Sequence, residues 1–252
     1  MNQNKSLYHA VLHLGDNALI LGHRLSEWCG HGPVLEQDIA MTNISLDLIG
    51  QARMYLDYAG KLTGENKNED DLAYHRDGLD FKNFLITEIP NGDFADTIAR
   101  QFFFDQWNVL YTKALMESKD ETLSAIAQKA HKEVSYHQRW SSEWVVRLGD
   151  GTAESKEKMQ RGIDDMWMFT GEMFIQTDEE KALVAEEILP DAAALKAQWE
   201  EQIKRLISDA TLEMPTDDFM QSGGKEGVHT EYLGFILAEM QYLPRAYPDA
   251  QW

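Results

Sequence analysis

Three side chains on two neighbouring predicted helices have the types and spacing of ligands for a carboxylate-bridged metal site. Asp105 interrupts the apolar stripe of one helix, and Glu133 and His137 interrupt the stripe of the next. If the connecting turn is centred near residue 119 or 120, a rise of ~1.5 Å per residue places Asp105 level with Glu133 in an antiparallel hairpin. Carboxylates that bridge two irons, and histidines that complete their coordination, are the ligands of ferritin-like di-iron sites.

The rest of a di-iron pattern is missing from the sequence. Such a site takes one inward Glu from each of two helices and a Glu-x-x-His motif from each of the other two. The third residue after Asp47 is Gly50, which cannot ligate a metal, and the third residue after Glu133 is Tyr136. We therefore expect no bound metal and interpret five positions as degenerate di-iron ligands: Asp47, Asp105, Glu133, His137 and, more weakly, Asp16.

The residues alone leave two interpretations of the cluster of Asp105, Glu133 and His137: a buried polar network or an iron site. A network is favoured because buried carboxylates are normally hydrogen-bonded or paired, and Asp16 and Asp47 are expected to be structural for the same reason. No catalytic residue is predicted. The stretch 223–225 is Gly-Gly-Lys and lacks the strand and spacing of a P-loop. It predicts a turn before the last helix, with a phosphate contact by Lys225 as the alternative.

The elements that must position these residues are all predicted to be helices. Apolar residues at three- and four-residue spacing predict two helical hairpins joined by a long crossover, which is the outline of a ferritin-like four-helix bundle. The predicted bundle helices cover residues 6–28, 37–62, 93–118 and 121–148, and the appended C-terminal helices cover 154–175, 178–189, 191–212 and 229–246. We expect one ferritin-like domain over 1–252, with its core at 6–148 and accessory helices at 154–247. The helix over 37–62 is apolar on two faces, which predicts a central position.

Composition excludes several classes of function. The chain has 43 acidic and 23 basic residues, a net charge of −20. Such a surface repels phosphate backbones and anionic lipids, so neither nucleic acid nor a membrane is an expected partner. The single cysteine, Cys29, cannot form an internal disulfide, and the N-terminus has no signal-peptide pattern. We therefore expect a cytoplasmic protein.

Several longer motifs carry a resemblance to a known family. The chain resembles the C subunits of phenylacetyl-CoA epoxidase from near its N-terminus to Trp252. The residues that match are those at 14–17 (LGDN), 27–31 (EWCGH), 43–53 (NISLDLIGQAR), 91–101 (NGDFADTIARQ), 132–133 with 136–137 (KE, YH), 223–225 (GGK), 229–231 (HTE) and 238–243 (AEMQYL).

The resemblance implies a ferritin-like fold and a structural subunit in a complex that epoxidises the aromatic ring of phenylacetyl-CoA during aerobic phenylacetate breakdown. Its implied partners are a catalytic A subunit that holds the di-iron centre, small accessory subunits, and a reductase that uses NADPH, FAD and an iron–sulfur cluster. None of these cofactors is expected in this chain, and either a homodimer or a heterotetramer is compatible with the family. The alternative from another class is a ferritin-like oxidase or oxygenase that binds metal at its own site.

Overall fold

The computed structural model describes residues 3–65, 67–248 and 250, and every regular element in them is helical. The all-helical prediction is therefore confirmed for these residues. None of their helices carries an apolar stretch of membrane-spanning length. The α-helices are α1 (Gln3–Ser26), α2 (Leu35–Thr63), α3 (Glu69–Tyr74), α4 (Phe94–Leu115), α5 (Glu121–Gly149), α6 (Ala153–Trp167), α7 (Asp178–Ala185), α8 (Ala192–Asp209) and α9 (Glu231–Ala246).

The predicted accessory helices are shorter than the sequence pattern suggested. The helix expected over 154–175 is divided into α6 and a short 3-10 turn at Gly171–Phe174. The next helix ends at Ala185, and Glu187 takes a left-handed conformation with φ of 60°. Apolar residues continue past both ends, so periodicity alone could not locate these breaks.

The chain forms two compact units, and the first consists of residues 1–89 and 223–252. Its centre is the antiparallel pair of α1 and α2. Two glycines of α1 let these helices approach closely. A Cβ added at Gly15 would lie 2.9 Å from Leu56 Cδ2, and one at Gly22 would lie 3.0 Å from Ile49 Cδ1. A larger residue at either position would require the facing Leu56 or Ile49 side chain to move.

One part of the prediction for α2 is wrong. The face of α2 that includes Ile44 and Leu48 is buried, as expected. On the second apolar face Leu56 is buried, but Ile39 is 51% exposed and Leu46 is 64% exposed. The prediction assigned both apolar faces of α2 to the core, because it assumed that every apolar position is buried. An apolar face can also remain on the surface of a single chain.

The second unit is residues 90–222. Its central helix is α4, which starts where the sequence predicted. Asp93 caps α4 by accepting hydrogen bonds from the backbone N–H groups of Ala95 and Asp96, and the Asp96 side chain completes a capping box. α4 packs against α5, α6 and α8, and for this reason its side chains are buried on nearly every side.

An aromatic cluster joins the accessory helices to α4. The Trp199 side chain of α8 is 1% exposed, and its Nε1 donates to the Phe103 carbonyl oxygen at 3.3 Å. The Trp199 ring lies 6.0 Å from that of Phe103, 6.1 Å from that of Trp167 and 5.2 Å from that of Phe174. The helices predicted as additions to a bundle therefore complete the core of the second unit.

We predict that Trp199→Ala lowers the free energy of unfolding by about 3–5 kcal/mol, the usual range for removing a fully buried large aromatic ring. The measurement is urea denaturation followed by circular dichroism. Phe219→Ala is the control, because Phe219 is 58% exposed and its removal should change stability by no more than about 0.5 kcal/mol. Equal losses in the two variants would contradict a core role for Trp199.

Candidate functional site

Asp105 and His137 form a buried polar pair inside the second unit. Asp105 is 1% exposed on α4 and His137 is fully buried on α5. Burial raises the pKa of the Asp105 carboxyl to about 7, although the nearby His137 ring, a hydrogen bond with the Ser141 side chain and the charge of Arg100 favour ionisation. Within the described residues, Asp105 Oδ2 has no hydrogen-bond partner. The site therefore favours a protonated carboxyl over a free carboxylate up to near-neutral pH.

The prediction that Glu133 is buried beside Asp105 and His137 is wrong, because Glu133 is only half-buried. The contacts between α4 and α5 explain the error. Gln106 Nε2 donates to Ser142 Oγ at 2.7 Å, and Gln138 Nε2 donates to Gln106 Oε1 at 3.3 Å. Position 106 is thus level with 138–142, which is about two helical turns beyond the position obtained by counting symmetrically from the connecting turn.

Asp16 is held in a buried ion pair in the first unit. It is fully buried, and its Oδ2 accepts hydrogen bonds from Arg76 Nη1 and from the backbone N–H of Lys82, both at 2.9 Å. Its Oδ1 accepts from Arg76 Nη2. Both carboxylate oxygens therefore accept hydrogen bonds from Arg76. A metal ion bound to Asp16 would displace this guanidinium and leave it buried without its ion-pair partner.

The five predicted positions do not fit a di-iron centre. Asp16 is bound to Arg76, while Asp47 and Glu133 are half-buried. Across the described ranges, no group of three or more His, Cys, Asp and Glu side chains is arranged to hold a metal ion. Of the five positions, Asp105 and His137 lie buried near each other, and a hydrogen-bonded polar network around them stays a prediction.

The predicted turn at Lys225 is present and holds the side chain against an aromatic ring. Gly223 has φ of 132°, and a short 3-10 turn follows at Gly224–Glu226. Lys225 Nζ lies 5.5 Å from the centroid of the Phe84 ring, within the range of a cation–π contact. A contact of Lys225 with phosphate stays a prediction.

A buried carboxylate of the first unit that accepts four hydrogen bonds was missed by the sequence reasoning. Glu88 is fully buried. Its Oε1 accepts from His229 Nδ1 at 2.6 Å and from Asn83 Nδ2 at 2.9 Å. Its Oε2 accepts from the backbone N–H of Thr230 at 2.8 Å and from Thr230 Oγ1 at 2.6 Å. This cluster, termed here the Glu88 clasp, connects the crossover segment, which is the part of the chain between α2 and α4, to the start of α9.

Two further contacts complete the Glu88 clasp. His229 Nε2 lies 2.9 Å from the Phe81 carbonyl oxygen, so both nitrogens of the His229 ring face oxygen atoms. The Arg24 guanidinium of α1 donates through Nε and Nη2 to the Glu88 carbonyl oxygen at 2.9 and 2.7 Å. The only sequence signal was the motif at 229–231, and nothing in the sequence paired that motif with a residue 141 positions away.

We predict that Asp105→Asn stabilises the protein increasingly as the pH rises. The native state raises the pKa of Asp105 from 3.8 to about 7, so it binds this proton more tightly than the unfolded chain does. Wild-type stability therefore falls as the pH rises from about 4 to 7, and the loss is complete above 7. Asn mimics the protonated acid and does not titrate.

The measurement is the free energy of unfolding of both proteins between pH 5 and pH 8. The gain of the variant relative to wild type should grow by about 2–4 kcal/mol over this range, since one pKa unit corresponds to 1.36 kcal/mol. The difference measured at pH 5 serves as the internal reference. A difference that stays constant with pH would show that the native Asp105 carboxyl does not titrate in this range and would contradict a pKa of about 7.

We predict that Glu88→Gln lowers the free energy of unfolding by about 2–4 kcal/mol, because an amide would direct its own N–H donors at the donors of Thr230 or His229. Limited proteolysis should then cut the segment 223–248 faster. Glu231→Gln is the control, since Glu231 is exposed at the start of the same helix. Unchanged stability and unchanged proteolysis in Glu88→Gln would contradict the clasp.

Comparison with known proteins places the chain in a family. The sequence model of the family described as "Phenylacetic acid catabolic protein" matches residues 1–252. A protein of Escherichia coli (strain K12), named as the C subunit of 1,2-phenylacetyl-CoA epoxidase, is 52% identical over 242 residues, which cover 96% of this chain and 97% of that protein. The family match and the all-helical structure confirm the predicted all-helical, ferritin-like fold class. The chain therefore belongs to the family of phenylacetic acid catabolic proteins.

Proposed function

We propose that this chain is the non-catalytic structural subunit of a multicomponent oxygenase that epoxidises the ring of phenylacetyl-CoA in aerobic phenylacetate breakdown. The support is a likeness, extending over nearly the whole of both chains, to a protein named as the C subunit of such an epoxidase. The family match over 1–252 supports one ferritin-like domain. We place the complex in the cytoplasm, where an exposed cysteine such as Cys29 stays reduced.

The observation that carries the non-catalytic role is how the buried carboxylates are used. Asp16 is bound by Arg76 and by the backbone N–H of Lys82, and the donors that bind the Glu88 carboxylate belong to its own unit. In a bundle that performs chemistry, such groups hold the reacting centre. In this chain they fix the crossover segment and the start of α9, so they stabilise the fold.

The roles of the subunits in the proposed complex follow from the structural role of these buried carboxylates. The catalytic A subunit would hold the di-iron centre and the acyl-CoA substrate. The reductase would deliver electrons from NADPH through FAD and an iron–sulfur cluster, and small accessory subunits would complete the assembly. The present chain would stabilise the A subunit by binding only its folded form, which raises the apparent stability of that protein by mass action.

We predict that the A subunit from the same genome is poorly soluble or inactive alone and becomes soluble and active when this chain is co-expressed. The assay is phenylacetyl-CoA epoxidation with the reductase and NADPH. Full activity of the A subunit without this chain would remove the structural role. Turnover by this chain alone, together with two irons retained per chain, would support the alternative of an oxidase or oxygenase with its own site.

A further inference from the structure

Large apolar side chains are exposed unevenly over the described residues. Ten of the thirteen exposed large hydrophobic residues lie in the first unit. Four of them are at the start of α2 or on its outer face: Val34, Leu35, Ile39 and Leu46, with exposed fractions of 52%, 73%, 51% and 64%. Single exposed apolar residues are ordinary, but several on one face of one helix mark an interaction surface.

Three of these side chains form a continuous ridge along α2. At ~100° per residue, Leu35, Ile39 and Leu46 fall within about 40° of one another around the helix axis, and they extend over about 17 Å along it. Gly50 lies beside this ridge one turn further on, is exposed, and has open space where a Cβ would stand. The ridge (Leu35, Ile39, Leu46) and the neighbouring gap at Gly50 together have the form of a surface that packs against another helix.

The ridge is bordered by acidic residues. Glu36 is exposed and Asp47 is half-buried, and both lie on the same side of the ridge. The chain as a whole carries a net charge of −20. A partner that covers the ridge would therefore gain from basic side chains beside its own apolar stripe, because complementary charges speed association and suppress wrong partners.

We infer that the ridge on α2 is the docking surface for the catalytic A subunit of the oxygenase, which would present an amphipathic helix whose apolar stripe is flanked by Lys or Arg. This inference rests on the proposed function. A second copy of this chain is a poorer occupant, because two surfaces with acidic borders and a net charge of −20 each would repel. Covering the ridge would remove from water the apolar area that the single chain leaves exposed.

Phe235 on the outer side of α9 offers a matched control. Leu46 and Phe235 are both 64% exposed, both belong to the first unit, and both can accept a charged residue without a change in the core. Leu46→Glu and Ile39→Glu disrupt the ridge, whereas Phe235→Glu places the same charge on a different helix. Circular dichroism and thermal unfolding of each variant establish that the fold is retained.

The experiment measures the dissociation constant between the purified chain and the A subunit from the same genome, with the A subunit kept soluble by a fusion partner. We expect Leu46→Glu and Ile39→Glu to weaken binding about tenfold or more, and Phe235→Glu to change it by less than about twofold. Glu36→Lys should slow association severalfold and make it less sensitive to salt.

Each outcome decides between the two proposals. If wild type binds and the ridge variants bind equally well, the surface assignment is overturned and the proposed function stands. The same holds if Phe235→Glu weakens binding as much as Leu46→Glu does. If wild type does not bind the A subunit at all, the proposed function fails together with the surface. A dimer of this chain alone that Leu46→Glu converts to a monomer would overturn the choice of occupant.

Discussion

The first unit depends on a carboxylate that is completely removed from water. Taking Glu88 out of solvent is costly unless its oxygens are fully hydrogen-bonded. Four donors meet that requirement, and they come from His229, from Asn83, and from the backbone and side chain of Thr230. If the start of α9 moved away, three of the four hydrogen bonds would be lost and a buried charge would be left with one partner. The position of α9 is therefore specified by these hydrogen bonds as well as by packing.

The buried ion pair of Asp16 and Arg76 also fixes the crossover segment by polar contacts. Arg76 also donates to the carbonyl oxygen of Asp80 at 3.1 Å, and Gln241 of α9 donates to the carbonyl oxygens of Ala73 and Arg76 at 3.1 and 3.0 Å. A segment with little regular structure is thus bound on one side to α1 and on the other to α9. Polar groups that fix an irregular segment give it one conformation, which a set of apolar contacts alone specifies less sharply.

The sequence predicted the helices well, because each long helix has a clear period and α4 begins with a side-chain cap at Asp93. It also predicted that Asp105 and His137 are buried. It failed for Glu133, because the register of α4 against α5 depends on the length of the connecting turn. It missed the partners of Glu88, which are far away in the chain. It could not separate the buried face of α2 from the exposed side chains of Ile39 and Leu46, since both are apolar and both have the helical period.

The order in which the chain is made follows from the division into units. The second unit is one continuous stretch, residues 90–222, whereas the first combines residues 1–89 with 223–252. His229 leaves the ribosome 141 residues after Glu88, a delay of roughly 7–30 s at the usual ~5–20 residues per second. During this interval the second unit can complete its aromatic core. The α1–α2 hairpin has already been synthesised, and the Glu88 carboxylate is still hydrated because His229 and Thr230 have not yet emerged. Termination between residues 223 and 228 would therefore release a chain whose second unit is whole and whose first unit lacks the hydrogen bonds of His229 and Thr230 to Glu88, a form suited to recognition by chaperones and proteases.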